Sequence, residues 1–190
     1  MKDYTTEFQT PPEFCRYMVS LIPQHTVTVL EPTKGVGNIV NELKLSGYDV
    51  TAPDDYFKLD SSLRFDNVCM NSPFSAKSAI LDNAPARYLD PKLGMKFGYY
   101  MLLECMEKSD SVIALVPWFT ISDSDVRLRY IKSYGLKSIT ALPRKTFQYA
   151  RIQTCVLELS RGYIGETTFK VYDLEPLIKT EEQKLQLELL

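Results

Sequence analysis

Thr26-Val27-Thr28-Val29-Leu30, running directly into Glu31-Pro32-Thr33-Lys34-Gly35-Val36-Gly37-Asn38, is the stretch that decides the fold. The first five residues are β-favouring and read as a strand. The loop behind them carries two glycines two positions apart, as expected where a backbone must pass close to a ligand. Gly37 to Ser46 reads as a helix stopped by Gly47, and Tyr48-Asp49-Val50-Thr51-Ala52 as a second strand. Strand, glycine turn, helix and strand together open a Rossmann-type sheet. The third glycine of GxGxxG is replaced by Val40, which disfavours a pyrophosphate-binding nicotinamide site.

Downstream, the apolar run Asp66-Asn67-Val68-Cys69-Met70 ends in Asn71-Ser72-Pro73-Phe74. This tetrapeptide puts an amide, a rigid carbonyl and an aromatic face at one strand end. The Asn71 side-chain oxygen and a carbonyl beside Pro73 can each accept one hydrogen of an exocyclic amino group, while Phe74 stacks on the ring that bears it. Both the glycine loop and the tetrapeptide fall at the carboxyl ends of strands, where open α/β sheets bind ligands. An acid beyond the second strand, Asp54 or Asp55, stands about 20 residues past the glycine loop, the separation of a ribose-binding acid.

Further strands are expected at Ser111 to Pro117, Leu136 to Leu142 and Ile152 to Ser160, with helices at Phe97 to Lys108 and Asp123 to Tyr134, the latter ended by Gly135. Thr10-Pro11-Pro12-Glu13 has the form of a capping box, predicting a helix from Pro11 to Ile22. No helix-length segment stands between Val50 and Asn67. Residues 75 to 94 are polar, interrupted by Pro85 and Pro91, and read as a mobile loop over the site. Thr180 to Leu190 reads as a leucine-rich helix packing on the body or on another copy.

EFQTPPEF, VLEPTKGVGN, NSPF and LPRKTF stand in the order seen in amino-directed, S-adenosylmethionine-dependent DNA methyltransferases, and the chain resembles their adenine-N6 branch from about Tyr4 to Gly162. It departs from them at Ser72, where the family usually has proline. The resemblance implies an α/β, Rossmann-like class I methyltransferase fold, with a mostly parallel central sheet of about seven strands and helices on both faces. It implies S-adenosyl-L-methionine as cofactor, with Gly35, Gly37 and the rest of the loop from Glu31 and Pro32 to Asn38 along its methionine half, and Glu31 near its ammonium. Thr10, Pro11 and Phe14 inherit a cofactor contact, Phe14 being otherwise a core residue. Asp60 is a candidate for the cofactor's adenine amino group, or else a surface or capping acid. Asn71, Ser72, Pro73 and Phe74 are the catalytic tetrapeptide. Methylation of RNA adenine or a protein glutamine, or a non-catalytic binding module of the same fold, are the competing readings.

Charge bears on the acceptor. The formal net charge is only −2, yet Val126 to Leu157 holds no Asp or Glu and carries Arg127, Arg129, Lys132, Lys137, Arg144, Lys145 and Arg151. This is either a set of solvated faces or a surface for DNA phosphates. Within it, Arg144, Lys145, Phe147, Tyr149 and Arg151 mix cations with aromatics as a flipped nucleotide requires, and the resemblance puts Phe147 near the extruded base. With 190 residues, 45% of them apolar, one domain is expected. No separate recognition domain is evident, so target choice is expected to be loose, lodged in the loop after Phe74, or supplied by a partner or by self-association through the tail. No apolar run reaches about 18 residues and the N-terminus lacks a signal-peptide pattern, which together predict a cytoplasmic, non-membrane protein. Cys15, Cys69, Cys105 and Cys155 are dispersed in apolar stretches and read as reduced core residues, with no metal site implied. His25 has no evident catalytic partner.

Overall fold

The computed structural model describes residues 9–172, apart from 80, 145 and 148–151. Seven strands form one sheet: β1 (Thr28–Leu30), β2 (Asp49–Thr51), β3 (Phe65–Met70), β4 (Ser109–Pro117), β5 (Leu136–Ala141), β6 (Thr154–Ser160) and β7 (Thr168–Val171), in spatial order β2-β1-β3-β4-β6-β5-β7. β6 runs antiparallel to both neighbours, and every other pairing is parallel.

Alternation along the central strands divides the core between two faces. Val68 and Met70 of β3, with Val112, Ala114 and Val116 of β4, belong to one cluster, covered by helices α4 (Phe97–Lys108) and α6 (Asp125–Gly135) through Phe97, Met101, Leu102 and Ile131. Cys69, Ile113 and Leu115 belong to the other, covered by α1 (Pro12–Ser20) and α2 (Asn38–Leu45) through Phe14, Met18, Ile39 and Leu43. All four cysteines are buried and free. Two short helices, α3 (Ala86–Leu89) and α5 (Phe119–Ser122), complete the α-helices among the described residues.

Several local expectations are corrected. β1 begins at Thr28 because the Asp66 carboxylate accepts from the backbone N–H groups of both Val27 and Thr28, at 2.9 and 2.8 Å. The predicted capping box does not form. Pro11, extended at ψ 149°, occupies the N-cap position and its carbonyl accepts from Phe14 and Cys15, so the Thr10 side chain is released for another partner. α6 starts two residues late, with Ser124 as its cap.

Residues 75 to 94 do not form the loose loop the sequence suggests. They contain a 3-10 turn at Ala76–Ser78, then α3, then a second 3-10 stretch at Pro91–Lys96, and they bury Tyr88 completely in the core. β7 was not singled out in the sequence; its Phe169 and Val171 are exposed, and it pairs in parallel with β5. Between β2 and β3 there is only a 3-10 turn at Tyr56–Lys58, so β2 forms the sheet edge. The tail from Thr180 to Leu190 lies outside the described residues.

Candidate active site

Beyond the carboxyl ends of β1, β2 and β3 lies a cavity of about 830 Å3. It gathers most of the residues singled out in the sequence: Thr10, Glu31, Pro32, Gly35, Asn38, Asp54, Asp55 and the whole of Asn71-Ser72-Pro73-Phe74. Parallel neighbours β2, β1 and β3 deliver their ends to one side of the sheet, which is why segments 40 residues apart in sequence meet here.

Glu31, the first residue after β1, is only 1% exposed. Its Oε1 accepts from the Thr33 N–H at 3.1 Å, whereas Oε2 is buried without a hydrogen-bond partner. Burial pushes its carboxyl up to about 8, although the two Thr33 hydrogen bonds and Lys34 pull the other way. A buried acid with an unanswered oxygen is poised to receive a cation. The Thr33 hydroxyl lies 3.4 Å from both Glu31 Oε1 and the Asn71 carbonyl, and shares its proton between them.

Gly35 adopts φ 52°, and a Cβ there would collide with the side-chain amide of Gln9, which accepts from the Val36 N–H at 3.1 Å. The left-handed conformation therefore calls for glycine, while the Gln9 amide is the movable end of a flexible side chain. The neighbouring Thr10 joins the two halves of the site. Its carbonyl accepts from Asn38 Nδ2 at 2.9 Å, and its hydroxyl oxygen accepts from Asn71 Nδ2, also at 2.9 Å.

Both candidate ribose acids line the cavity. Asp54 is paired with Lys34 at 2.5 Å, which lowers its carboxyl below the usual range. Asp55 accepts from the Phe57 N–H at 3.0 Å and from Asn83 Nδ2 at 2.6 Å. Tyr56 and Phe57 form an aromatic wall beside them. Under the tetrapeptide, α4 comes so close that a Cβ on Gly98 would stand 3.0 Å from the Pro73 carbonyl oxygen and 3.3 Å from Ser72 Oγ.

Four predicted cofactor residues stay outside the cavity. Gly37 serves as the left-handed N-cap of α2 at φ 92°, and Pro11 as the N-cap of α1. Phe14 is buried against Tyr172, with ring centroids 4.9 Å apart. Asp60 is exposed and caps Ser62, accepting from its N–H and its hydroxyl. Conversely, Gln9, Tyr56, Phe57, Met95 and Met101 line the cavity without having been singled out. For Tyr56 and Phe57 a signal existed, since they directly follow the two acids.

The basic stretch is dispersed. Lys137 pairs with Glu158 at 2.5 Å, Arg127 lies over the Tyr99 ring and Lys132 donates to Thr167, while Arg129 and Arg144 are exposed. Phe147, expected at a base, is 3% exposed within the cluster that holds Phe14 and Met18, and cannot stack on a ligand without leaving the core. Lys145, Tyr149 and Arg151 lie outside the described residues. Trp118 packs edge-on against Phe169. No group of three or more metal-ligating side chains and no helix long and apolar enough to cross a membrane occurs among the described residues.

No protein-family model matches the chain, and no curated protein sequence does. Among solved structures, the methyltransferase subunit of a type I restriction-modification system from Streptococcus thermophilus superposes with a TM-score of 0.64 at 16% identity, over 96% of this chain and 52% of that one. A class I S-adenosylmethionine-dependent methyltransferase from Listeria monocytogenes gives 0.62 at 18% identity, over 100% and 72%. The M protein of the type I restriction enzyme EcoKI gives 0.61 at 12% identity, over 96% and 51%. The chain thus spans about half the length of the type I subunits it matches. At such identities the likeness concerns architecture, and the chain has the Rossmann-like class I methyltransferase fold.

Proposed function

We propose that this chain binds S-adenosyl-L-methionine and transfers its methyl group to the exocyclic N6 amino group of adenine in DNA. The observation that carries the reading is one cavity holding both a buried acid with an orphaned oxygen, Glu31 Oε2, and the tetrapeptide Asn71 to Phe74. Glu31 and the loop at Gly35 fit the ammonium-bearing methionine half of the cofactor. Asp54 or Asp55 fits its ribose, and Tyr56 with Phe57 an aromatic ring. When bound, the cofactor supplies a methyl group on a sulfonium, an electrophile that needs no covalent intermediate.

The protein's part is alignment and charge. Thr10 accepts from the Asn71 side-chain nitrogen, and we assign the amide oxygen to one amine hydrogen. We assign the other amine hydrogen to a backbone carbonyl beside Pro73. Phe74 stacks on the base and presents its face to the positive charge developing on nitrogen. In duplex DNA the adenine must first be flipped out, at a cost of a few kcal/mol. One neighbour is itself a subunit of a larger system, and a partner is a candidate source of target choice for this chain.

Burial of Phe147 withdraws one residue from the nucleic-acid side, so adenine in RNA and a protein glutamine amide remain the alternative acceptors. Incubation with labelled S-adenosylmethionine and, separately, adenine-containing DNA, RNA and protein tests the reading. Label in DNA at N6 of adenine is expected. Label only in RNA or protein replaces the acceptor, and cofactor binding without transfer to any acceptor replaces catalysis by a binding module.

A further inference from the structure

Glu104, on α4, lies outside the cavity but joins its aromatic wall to the segment that follows the tetrapeptide. Its Oε2 accepts from the hydroxyl of Tyr56, on the aromatic wall, at 3.2 Å. Its Oε1 accepts from the Tyr88 hydroxyl at 2.5 Å and from the Arg87 guanidinium, both in the segment that follows the tetrapeptide. Tyr56 and Tyr88 are buried, at 7% and 0% exposure, so neither hydroxyl has water as a ready substitute for Glu104.

Ring contacts run along the same line. Phe57 of the wall meets Tyr88 with centroids 4.9 Å apart, and Tyr88 meets Phe97, itself on the cavity, at 5.0 Å. A second tie crosses the same gap, where Asn83 donates to Asp55 Oδ2 at 2.6 Å. A ligand hydroxyl arriving at Asp55 would meet an oxygen already engaged by Asn83. Between β2 and β3 there is only a 3-10 turn, and from residues 81 to 96 Met95 reaches the cavity.

We propose that Glu104 is a positioning residue that couples the aromatic wall of the cofactor cavity to the segment behind the tetrapeptide, so that filling the cavity sets the acceptor side of the site. The proposal rests on the methyl-transfer reading above. Displacement of Tyr56 or Phe57 by a bound ring reaches Tyr88 through the shared carboxylate and the ring stack, and reaches Asn83 through Asp55. Because coupling is reciprocal, an acceptor that fixes residues 81 to 96 tightens cofactor binding by the same factor.

The test uses the full chain and an adenine-containing duplex, with affinity measured by fluorescence anisotropy in the absence and presence of saturating S-adenosylhomocysteine, an unreactive cofactor product. Wild type should bind the duplex at least about fivefold more tightly with the product present. In Glu104→Gln the neutral amide has one acceptor oxygen and cannot receive three donors, so this factor should fall towards one. Affinity for S-adenosylhomocysteine alone should be kept. Tyr88→Phe, which removes one hydrogen bond and keeps the ring, should lower the factor partway and serves if Glu104→Gln does not fold. A merely structural role would lower the melting temperature and leave the factor unchanged, which overturns the proposal, as does a wild-type factor of one. Failure of wild type to bind S-adenosylhomocysteine at all overturns instead the methyl-transfer reading on which it rests.

Discussion

The side-chain nitrogen of Asn71 donates a 2.9 Å hydrogen bond to Thr10 Oγ1, joining positions 61 residues apart. The bond crosses from the start of α1 to the end of β3 and defines which end of the Asn71 amide is the acceptor. Position and orientation of the proposed amine-binding group therefore depend on a residue that touches no part of the tetrapeptide in sequence.

Asn71→Ala is expected to slow single-turnover methylation on the order of a hundredfold, about 3 kcal/mol of barrier, with cofactor affinity spared. Thr10→Val, nearly isosteric, should release the amide and cost about tenfold in the same rate, with recovery in Thr10→Ser. A wild-type rate in Asn71→Ala would remove the tetrapeptide from catalysis.

The two loop glycines should separate. Gly35→Leu drives a side chain into Gln9 at a left-handed backbone position and should weaken cofactor binding more than tenfold by calorimetry. At Gly37 an added Cβ meets nothing within 4 Å, so Gly37→Ala should cost only about 1 kcal/mol of stability through its backbone. Equal loss of cofactor affinity in both would mean that the loop approaches the ligand at Gly37 after all.

Glu31 should make stability depend on pH. Its carboxyl is raised from 4.5 to about 8 in the folded state, so between those values the native chain holds a proton that the unfolded chain has lost. Stability supplied by this group is therefore complete below about pH 4.5, declines as pH rises, and levels off above about 8. A cationic ligand at Glu31 favours the ionised form, so its affinity should rise over the same window. Urea unfolding of wild type and Glu31→Gln across this range checks the sign, since the difference between the two curves should fall with pH.

Gly98→Ala offers a test in which helix propensity and site geometry point in opposite directions. In a helix interior this change ordinarily adds up to about 1 kcal/mol of stability. Here the new methyl stands 3.0 Å from the Pro73 carbonyl oxygen and must shift the tetrapeptide by a few tenths of an ångström. The methylation rate should fall about tenfold while cofactor affinity stays, as stopped-flow or quench measurements would show.

The tetrapeptide, the glycine loop and the acids after β2 were legible because each is a local pattern at a strand end. Strand alternation and helix stops such as Gly47 and Gly135 likewise placed most elements to within two residues. Three misreadings share a cause, the competition of a partner distant in sequence. Thr10 looked like a helix cap and instead serves Asn71. Phe147 looked like a base platform and instead fills the core. Residues 75 to 94 looked loose because their anchor, Glu104, comes later in the chain.

By itself, the sequence determined that strand ends with a glycine loop and an amide-carbonyl-aromatic set would form, since backbone preference and residue chemistry act within a few neighbours. Only the tertiary structure decided which side chains face the cavity and which hydrogen bonds orient them. β1, β2 and β3 had to pair in parallel to bring Glu31, Asp55 and Asn71 to one rim. Burial, which leaves Glu31 Oε2 unanswered and raises its carboxyl, is a property of the packed chain and belongs to no residue alone.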